Sequence, residues 1–504
     1  LTPAPLDAVL AERARRLGDR VYLIGAEDGR GLTFAALEAA CRGVARLLAA
    51  RGVRPRDRVS ILGDNGPALV ALLLGIQRAG AVANPLDAAV HATNVADALH
   101  AVAPRLVFAS RRLPAELRAV VDATGVESIA FSDEDLETLP AVAPSDPTAP
   151  PPVGPDDLAI IHYTSGTTAR PKGVCIGRAA FSFMAAAPAE RFAITAADRV
   201  LEYRSLAWAS PQLLGLGATL HAGATLVLAP RFSRRRFFHW IAEHRVTIAA
   251  GVPTVIGMLL ERPLSPPPLP SLRFLTSSAA PLPPAREREF ERRYGVPIVQ
   301  GCGMTEAGFM AGNPPEARRV GSIGLPMPRV EAWFADDAGN RRPPGHEGEL
   351  VVRGPQMAAA YLVGRGALEP ITRDGLRTGD LGYADADGYL YLTGRKKDVI
   401  IKGGVNIAPL EITAVLLEHP AVADAATIGL ADRIYGEAIG CAVALRPGVR
   451  VGSDELLQHC RRRLSPFKMP MTVAIVERIP RNAHGKIAAD ALRRVLTGAS
   501  APPP

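Results

Sequence analysis

The sequence predicts an α/β protein, with a large N-terminal domain of parallel-rich sheets covered by helices and a small α+β C-terminal domain. Three observations carry this. Between residues 200 and 300, short apolar runs alternate with helix-period stretches, the pattern of strand–helix units that build parallel sheets. Near residue 395 the texture changes to shorter strands mixed with helices. At 504 residues, 48% hydrophobic and 21% charged, the chain is long enough to bury more than one core. The expected division is residues 1–394, 395–497 and a Pro-rich, disordered tail at 498–504.

Residues 4–17 space Leu6, Val9, Leu10 and Leu17 as an amphipathic helix. Thr33 can cap a second helix whose apolar face is Leu37, Cys41, Val44 and Leu48. Val59 to Leu62 reads as a strand, Pro67 to Ala79 as a helix, and Ala81 to Pro85 as a strand. Residues 140–155, rich in Pro and Asp, read as an exposed connector. Leu158 to Ile161 is a buried strand. Further strands fall at 225–229, 246–250, 272–276 and 296–300, with helices at 234–244, 253–261 and 284–293. The C-terminal part gives strands at 397–401, 423–428, 438–445 and 472–476, and helices at 409–418 and 453–463.

The net charge of +8 is spread along the chain. Only 5% of residues are aromatic, and no basic stripe with interleaved aromatics is present, which argues against a nucleic-acid partner. The charge instead suits a small polyanion such as a nucleotide. Cysteines 41, 175, 302, 441 and 460 form no CxxC pair, so reduced thiols and a cytoplasmic location are expected. No apolar run approaches a membrane span and the start lacks the shape of a signal peptide. The opening at Leu1 suggests a trimmed chain.

Chemistry concentrates in a few loops. Thr164, Ser165, Gly166, Thr167, Thr168, Ala169, Arg170, Pro171, Lys172 and Gly173 follow the strand at 158–161. Glycines let backbone N–H groups approach a ligand, hydroxyls add short donors, and Lys172 adds a positive charge, the parts that hold a polyphosphate. The order is not Walker A, since Lys172 precedes its glycine. By itself such a loop is more readily a flexible polar surface turn. Gly301-Cys302-Gly303-Met304-Thr305-Glu306 reads as a glycine-flanked turn with an acid at a strand end. Thr378-Gly379-Asp380 and Gly394-Arg395-Lys396-Lys397-Asp398 offer a carboxylate for two ribose hydroxyls and an arginine beside it, or a plain hairpin with a salt bridge. Pro480 to Lys486 places a lysine behind a glycine turn.

In this order the motifs resemble those of the acyl-adenylate-forming superfamily of acyl-CoA synthetases, adenylation domains and luciferases, most closely the acyl-CoA synthetases. The resemblance covers essentially the whole chain. It implies ATP, Mg²⁺ and coenzyme A. A carboxylate attacks the α-phosphate of ATP to give acyl-AMP and pyrophosphate, and a thiol then takes the acyl group. It also implies a mobile C-terminal domain with its hinge at Lys397.

Carried over residue by residue, Thr164, Ser165, Gly166, Thr167, Thr168 and Lys172 hold phosphates. Gly301, Cys302, Gly303, Asp380 and Arg395 hold the nucleoside. Lys486, Thr305 and Glu306 are catalytic, with Glu306 carrying Mg²⁺. Gly403 and Gly404 line the thiol tunnel, and Trp208, Ser277, Ser278, Ala279 and Met304 form the acyl pocket. The implied function is ligation of a small to medium, rather apolar acid, aromatic ones included, to CoA. A carrier-protein thiol is the alternative acceptor, and a binding module that has lost catalysis is the alternative of another class. Monomer and homodimer are both open.

The chain departs from the family pattern at Ala169, where glycine is usual, at Cys302, where an aromatic usually covers adenine, and at Trp208, where a histidine is common. Trp208 either limits the acyl pocket or is core. His239, His244, His459 and His484 have no metal-ligand spacing and read as surface or satisfied core residues.

Overall fold

The computed structural model describes residues 2–137, 153–164, 172–261, 264–372, 374–481 and 487–498, with the side chains of Thr164 and Asn406 outside that description. The helix Phe34–Ala50 begins where Thr33 Oγ1 accepts the Ala36 backbone N–H at 3.1 Å. It buries Leu37, Cys41, Val44 and Leu48, the face read from the sequence. Against it packs Pro67–Arg78, buried from Ala68 to Gln77, which is why that helix has no polar face.

An eight-stranded sheet has Arg58–Gly63, Val82–Asp87, Leu106–Ser110 and Leu158–Thr164 at its centre, neighbours running parallel. A nine-stranded sheet has Arg199–Glu202, Thr225–Leu228, Ile248–Ala249, Phe274–Ser277 and Ile298–Met304, again parallel. The helices Phe237–Glu243, Pro253–Glu261 and Pro284–Tyr294 connect them as expected. These strands are buried on both faces, so they read as continuous apolar runs.

The edges differ. The nine-stranded sheet ends in antiparallel strands on both sides and the eight-stranded sheet on one side, its other edge Ser128–Phe131 running parallel to its neighbour. A third sheet of Glu331–Ala335, Gly348–Arg353, Leu376–Ala384 and Leu390–Arg395 is antiparallel throughout. The sequence reading assigned no strands there, because its strands, exposed in part, lack a continuous apolar run.

The C-terminal part has its own core, including Ile400, Ile412, Leu416, Val422, Ile439 and Leu456. The strand expected at 397–401 is displaced. Lys396–Asp398 forms a short 3₁₀ turn, and the strand is Ile400–Lys402, which turns back as Val405–Ile407. Helix Ala489–Thr497 was not anticipated. The two parts meet through Arg446, 2.9 Å from Glu289, and through Arg286, which donates to the Val422 carbonyl at 3.5 Å.

Candidate active site

Leu158–Thr164 and Lys172–Gly177 pair antiparallel, with Thr164 opposite Lys172. The expected phosphate loop therefore joins two strands that pair antiparallel. Ser165, Gly166, Thr167, Thr168 and Ala169 lie outside the described residues. Lys172, which opens the return strand, carries its Nζ over the Tyr361 ring, 5.3 Å from the centroid. Tyr361 lies on Ala360–Val363, opposite Val174, and its hydroxyl donates to Glu306 Oε1 at 3.0 Å. Burial first, then the Glu306 carboxylate, raise the Tyr361 pKa, so the phenol keeps its proton and stays a donor. Lys172, Tyr361 and Glu306 thus form one line from the strand Lys172–Gly177 to the Glu306 turn. Sequence reasoning missed Tyr361, since only strand register brings it there.

Gly301-Cys302-Gly303-Met304 is not the turn expected. It is the end of the strand Ile298–Met304, and the turn is Thr305 to Ala307, after which Gly308–Gly312 runs back. The glycines serve close approach: a Cβ on Gly303 would lie 2.5 Å from the Gly308 carbonyl oxygen. The tight hairpin lifts Thr305 and Glu306 to its tip. Glu306 is a hard oxygen donor held by a neutral phenol, a side chain suited to Mg²⁺.

Cys302 and Met304 pack against the main core. Burial, with Asp380 adding to it, pushes the Cys302 thiol up to about 12, so it stays protonated at neutral pH and is no nucleophile. Asp380 faces Arg395 across Leu376–Ala384 and Leu390–Arg395. The two meet at 2.7 Å, Nε donating to Oδ1. Just upstream, Glu349 accepts the Gly379 N–H at 3.1 Å and an Arg377 N–H at 2.7 Å, which fixes the turn that presents Asp380. Lys396 reaches Asp337 at 2.7 Å, and Lys397 lies in the 3₁₀ turn between the two parts of the chain.

The residues expected to form the acyl pocket come from three elements, Met304 being the last residue of the strand Ile298–Met304. Ser277 ends the strand Phe274–Ser277, Ser278 follows, and Ala279 has φ of +73°, a conformation costly for a residue with a Cβ. Trp208 precedes the short helix Ala209–Pro211 and is part-buried. Its segment is tied to the strand Leu158–Thr164, where His162 Nδ1 lies 3.1 Å from the Ala207 carbonyl. Burial lowers His162 to about 4, leaving it neutral. Sequence reasoning also missed Arg204, whose Nη1 donates to Ser278 Oγ at 3.2 Å.

Gly403 and Gly404 form the tip between Ile400–Lys402 and Val405–Ile407, with φ of +58° and +82°. Their backbone conformation favours glycine. Gly403 donates its N–H to the Tyr435 carbonyl at 2.8 Å within the same C-terminal part. Lys486 and His484 lie outside the described residues, while Arg481 and Ile487 beside them form an antiparallel bridge. His239, His244 and His459 each contact a backbone carbonyl through a ring nitrogen. Among the described residues no His, Cys, Asp and Glu cluster is arranged to hold a metal, and no helix is long and apolar enough to cross a membrane.

The two strands flanking the expected phosphate loop, the acid Glu306 at a hairpin turn and the Asp380–Arg395 pair thus come from three sheets. Residues 10–362 match the family model of the AMP-binding enzyme, and residues 411–486 that of the AMP-binding enzyme C-terminal domain. The chain belongs to the AMP-binding enzyme family. It is 37% identical over 490 residues to a sulfoacetate–CoA ligase of Cupriavidus necator, covering 96% of each chain. It is 34% identical to an indoleacetate–CoA ligase of Aromatoleum aromaticum, covering 93% of this chain and 94% of that one. Its fold matches o-succinylbenzoate coenzyme A synthetase from Bacillus subtilis in complex with ATP and magnesium ion, with a TM-score of 0.82, 31% identity and coverage of 97% and 99%. The chain is an ATP-dependent, AMP-forming acid–CoA ligase that uses ATP, Mg²⁺ and CoA.

Proposed function

We propose that this ligase activates a small to medium carboxylic acid whose body lies against Trp208 and Met304, and that it works in the cytoplasm with CoA as acceptor. The observation that carries the site is the line from Lys172 through Tyr361 to Glu306, with Asp380 and Arg395 beside Cys302. The five cysteines are free thiols, in keeping with a reducing compartment.

In the proposed mechanism Lys172, with Thr164, Ser165, Gly166, Thr167 and Thr168, holds the β- and γ-phosphates. Mg²⁺, when bound at Glu306, neutralises phosphate charge. Thr305 contacts the α-phosphate. Asp380 accepts the ribose hydroxyls while Arg395 holds its carboxylate in place, and the extended Gly301-Cys302-Gly303 backbone lies along adenine. The substrate carboxylate oxygen bonds to the α-phosphorus as the bond to pyrophosphate breaks. Both partners are anions, so positioning and charge neutralisation are the main contributions of these residues. Lys486 bridges carboxylate and α-phosphate as charge develops.

The C-terminal domain, from about residue 395, then turns about Lys397, and Gly403 and Gly404 come to line the thiol path. The thiolate of CoA attacks the acyl carbonyl carbon and AMP leaves. The test is pyrophosphate release with ATP and Mg²⁺ across aliphatic, aryl and amino acids, with and without CoA. Release stimulated by one acid class, with CoA consumed in step, is the expected result. Release with CoA untouched, and acyl transfer to a carrier protein, would overturn CoA as the acceptor.

A further inference from the structure

Behind the proposed acyl wall lies a charged pair that the reaction as described does not use. Glu202 ends the strand Arg199–Glu202, and Arg204 follows two residues later. Their side chains are 0% and 5% exposed. Arg204 Nε donates to Oε1 at 2.8 Å and Nη2 to Oε2 at 2.6 Å. Oε1 also accepts the backbone N–H of Tyr203 and of Arg204, at 3.1 and 2.9 Å. Burying such a pair costs free energy that its own attraction seldom repays, so stability alone does not account for it.

What the pair does locally is present two hydroxyls. The remaining guanidinium nitrogen, Nη1, donates to Ser210 Oγ at 3.1 Å and to Ser278 Oγ at 3.2 Å. A serine oxygen that accepts from a guanidinium turns its own O–H elsewhere. Among the described residues neither hydroxyl donates to another group, and the neighbouring buried Ser277 Oγ has no partner. Ser277 pairs with Gln300, the residue before Gly301, and Ser278 follows directly where the strand Phe274–Ser277 ends. That is the carboxyl end of the parallel strands, where ligands bind in such sheets. The segment is fixed by Asn65, which donates to the Arg204 carbonyl at 2.9 Å and accepts the Leu206 N–H at 2.8 Å.

We propose that Arg204, locked by Glu202, sets acid specificity through Ser210 and Ser278, and that the preferred acid carries an oxygen acceptor at the end remote from its reacting carboxylate. The inference rests on the pocket assigned above. Because Glu202 cancels the arginine charge, the wall is a neutral donor array. It therefore takes a carbonyl or hydroxyl as well as an anionic oxygen.

The test uses acid pairs that differ only at the tip: levulinate against isocaproate, succinate against valerate, and p-hydroxyphenylacetate against p-tolylacetate. Each is assayed by pyrophosphate release with CoA, for the wild type and the Ser210→Ala/Ser278→Ala double variant. The wild type should favour the oxygen-tipped member by about tenfold or more in kcat/KM. The double variant should bring the ratio close to unity with the KM for ATP unchanged. Equal or greater turnover of the alkyl-tipped member overturns this inference and leaves the ligase reading intact, as does an equal slowing of every acid in the variant. No release from any acid in the wider panel would overturn the pocket and ligase readings together.

Discussion

Glu202–Arg204 and Asp380–Arg395 are both carboxylate–guanidinium pairs beside the proposed site, with closest approaches of 2.6 and 2.7 Å. The first is sealed, doubly bonded and fixed by backbone N–H groups. The second opens to solvent on its arginine side, with the Arg395 side chain 41% exposed against 9% for Asp380, and Arg395 Nε donating to Asp380 Oδ1. A sealed pair cannot change partners without stranding a charge in the interior, so it serves as scaffold. An open pair gives up little when a ligand hydroxyl replaces part of its hydration, so it can serve as a grip.

The largest effect that would sharpen this contrast is at Glu202. Burial works against the Arg204 charge and the Glu202 carboxylate more than offsets it. Glu202→Gln leaves the guanidinium uncompensated and should cost about 3–5 kcal/mol in urea unfolding of the N-terminal domain. A loss below about 1 kcal/mol, the range of a surface pair, would erase the distinction.

Glu287 is an intermediate case. It is 1% exposed, and Gln300 donates to it at 2.7 Å. Burial lifts its pKa from 4.5 to about 7, with Glu291 adding to the shift, while the Gly321 N–H, Gln300 and Arg318 pull against it. The folded protein then binds more protons than the unfolded chain between those values, so this group's contribution to stability falls as pH rises through that window. The fall is at most about 3 kcal/mol. Glu287→Gln should flatten that part of the pH–stability curve, read by urea unfolding at several pH values. An unchanged slope would mean that Glu287 is charged in the folded state, like an open pair.

Much of the fold was legible because its central strands are buried on both faces. Val59, Ile61 and Leu62, or Leu226 and Val227, can be read from local sequence without knowing their partners. The Thr33 cap was equally local. The antiparallel third sheet was not, because its strands expose part of their length. The same divide runs through the site. Loop composition and motif order named Lys172, Glu306, Asp380 and Arg395. Tyr361 and Arg204 carry no local signal: strand register brings Tyr361 to Glu306, and a turn pinned by Asn65 brings Arg204 to Ser278. The glycines at 301 and 303 were noticed but misread as a turn, since close packing in a hairpin and positive φ both favour glycine. The final helix left only Leu492, Val495 and Leu496 as a trace, of which Leu492 alone is buried.

The most direct test of the contrast is acid-dependent exchange of labelled pyrophosphate into ATP by Asp380→Asn, with the KM for ATP and the ranking of acids measured in one experiment. If the open pair grips the nucleotide while the sealed pair sets the acid, the KM for ATP should rise about tenfold or more, a loss of about 1.4 kcal/mol, with the ranking of acids unchanged. A reordered ranking at an unchanged KM for ATP would contradict that division of labour.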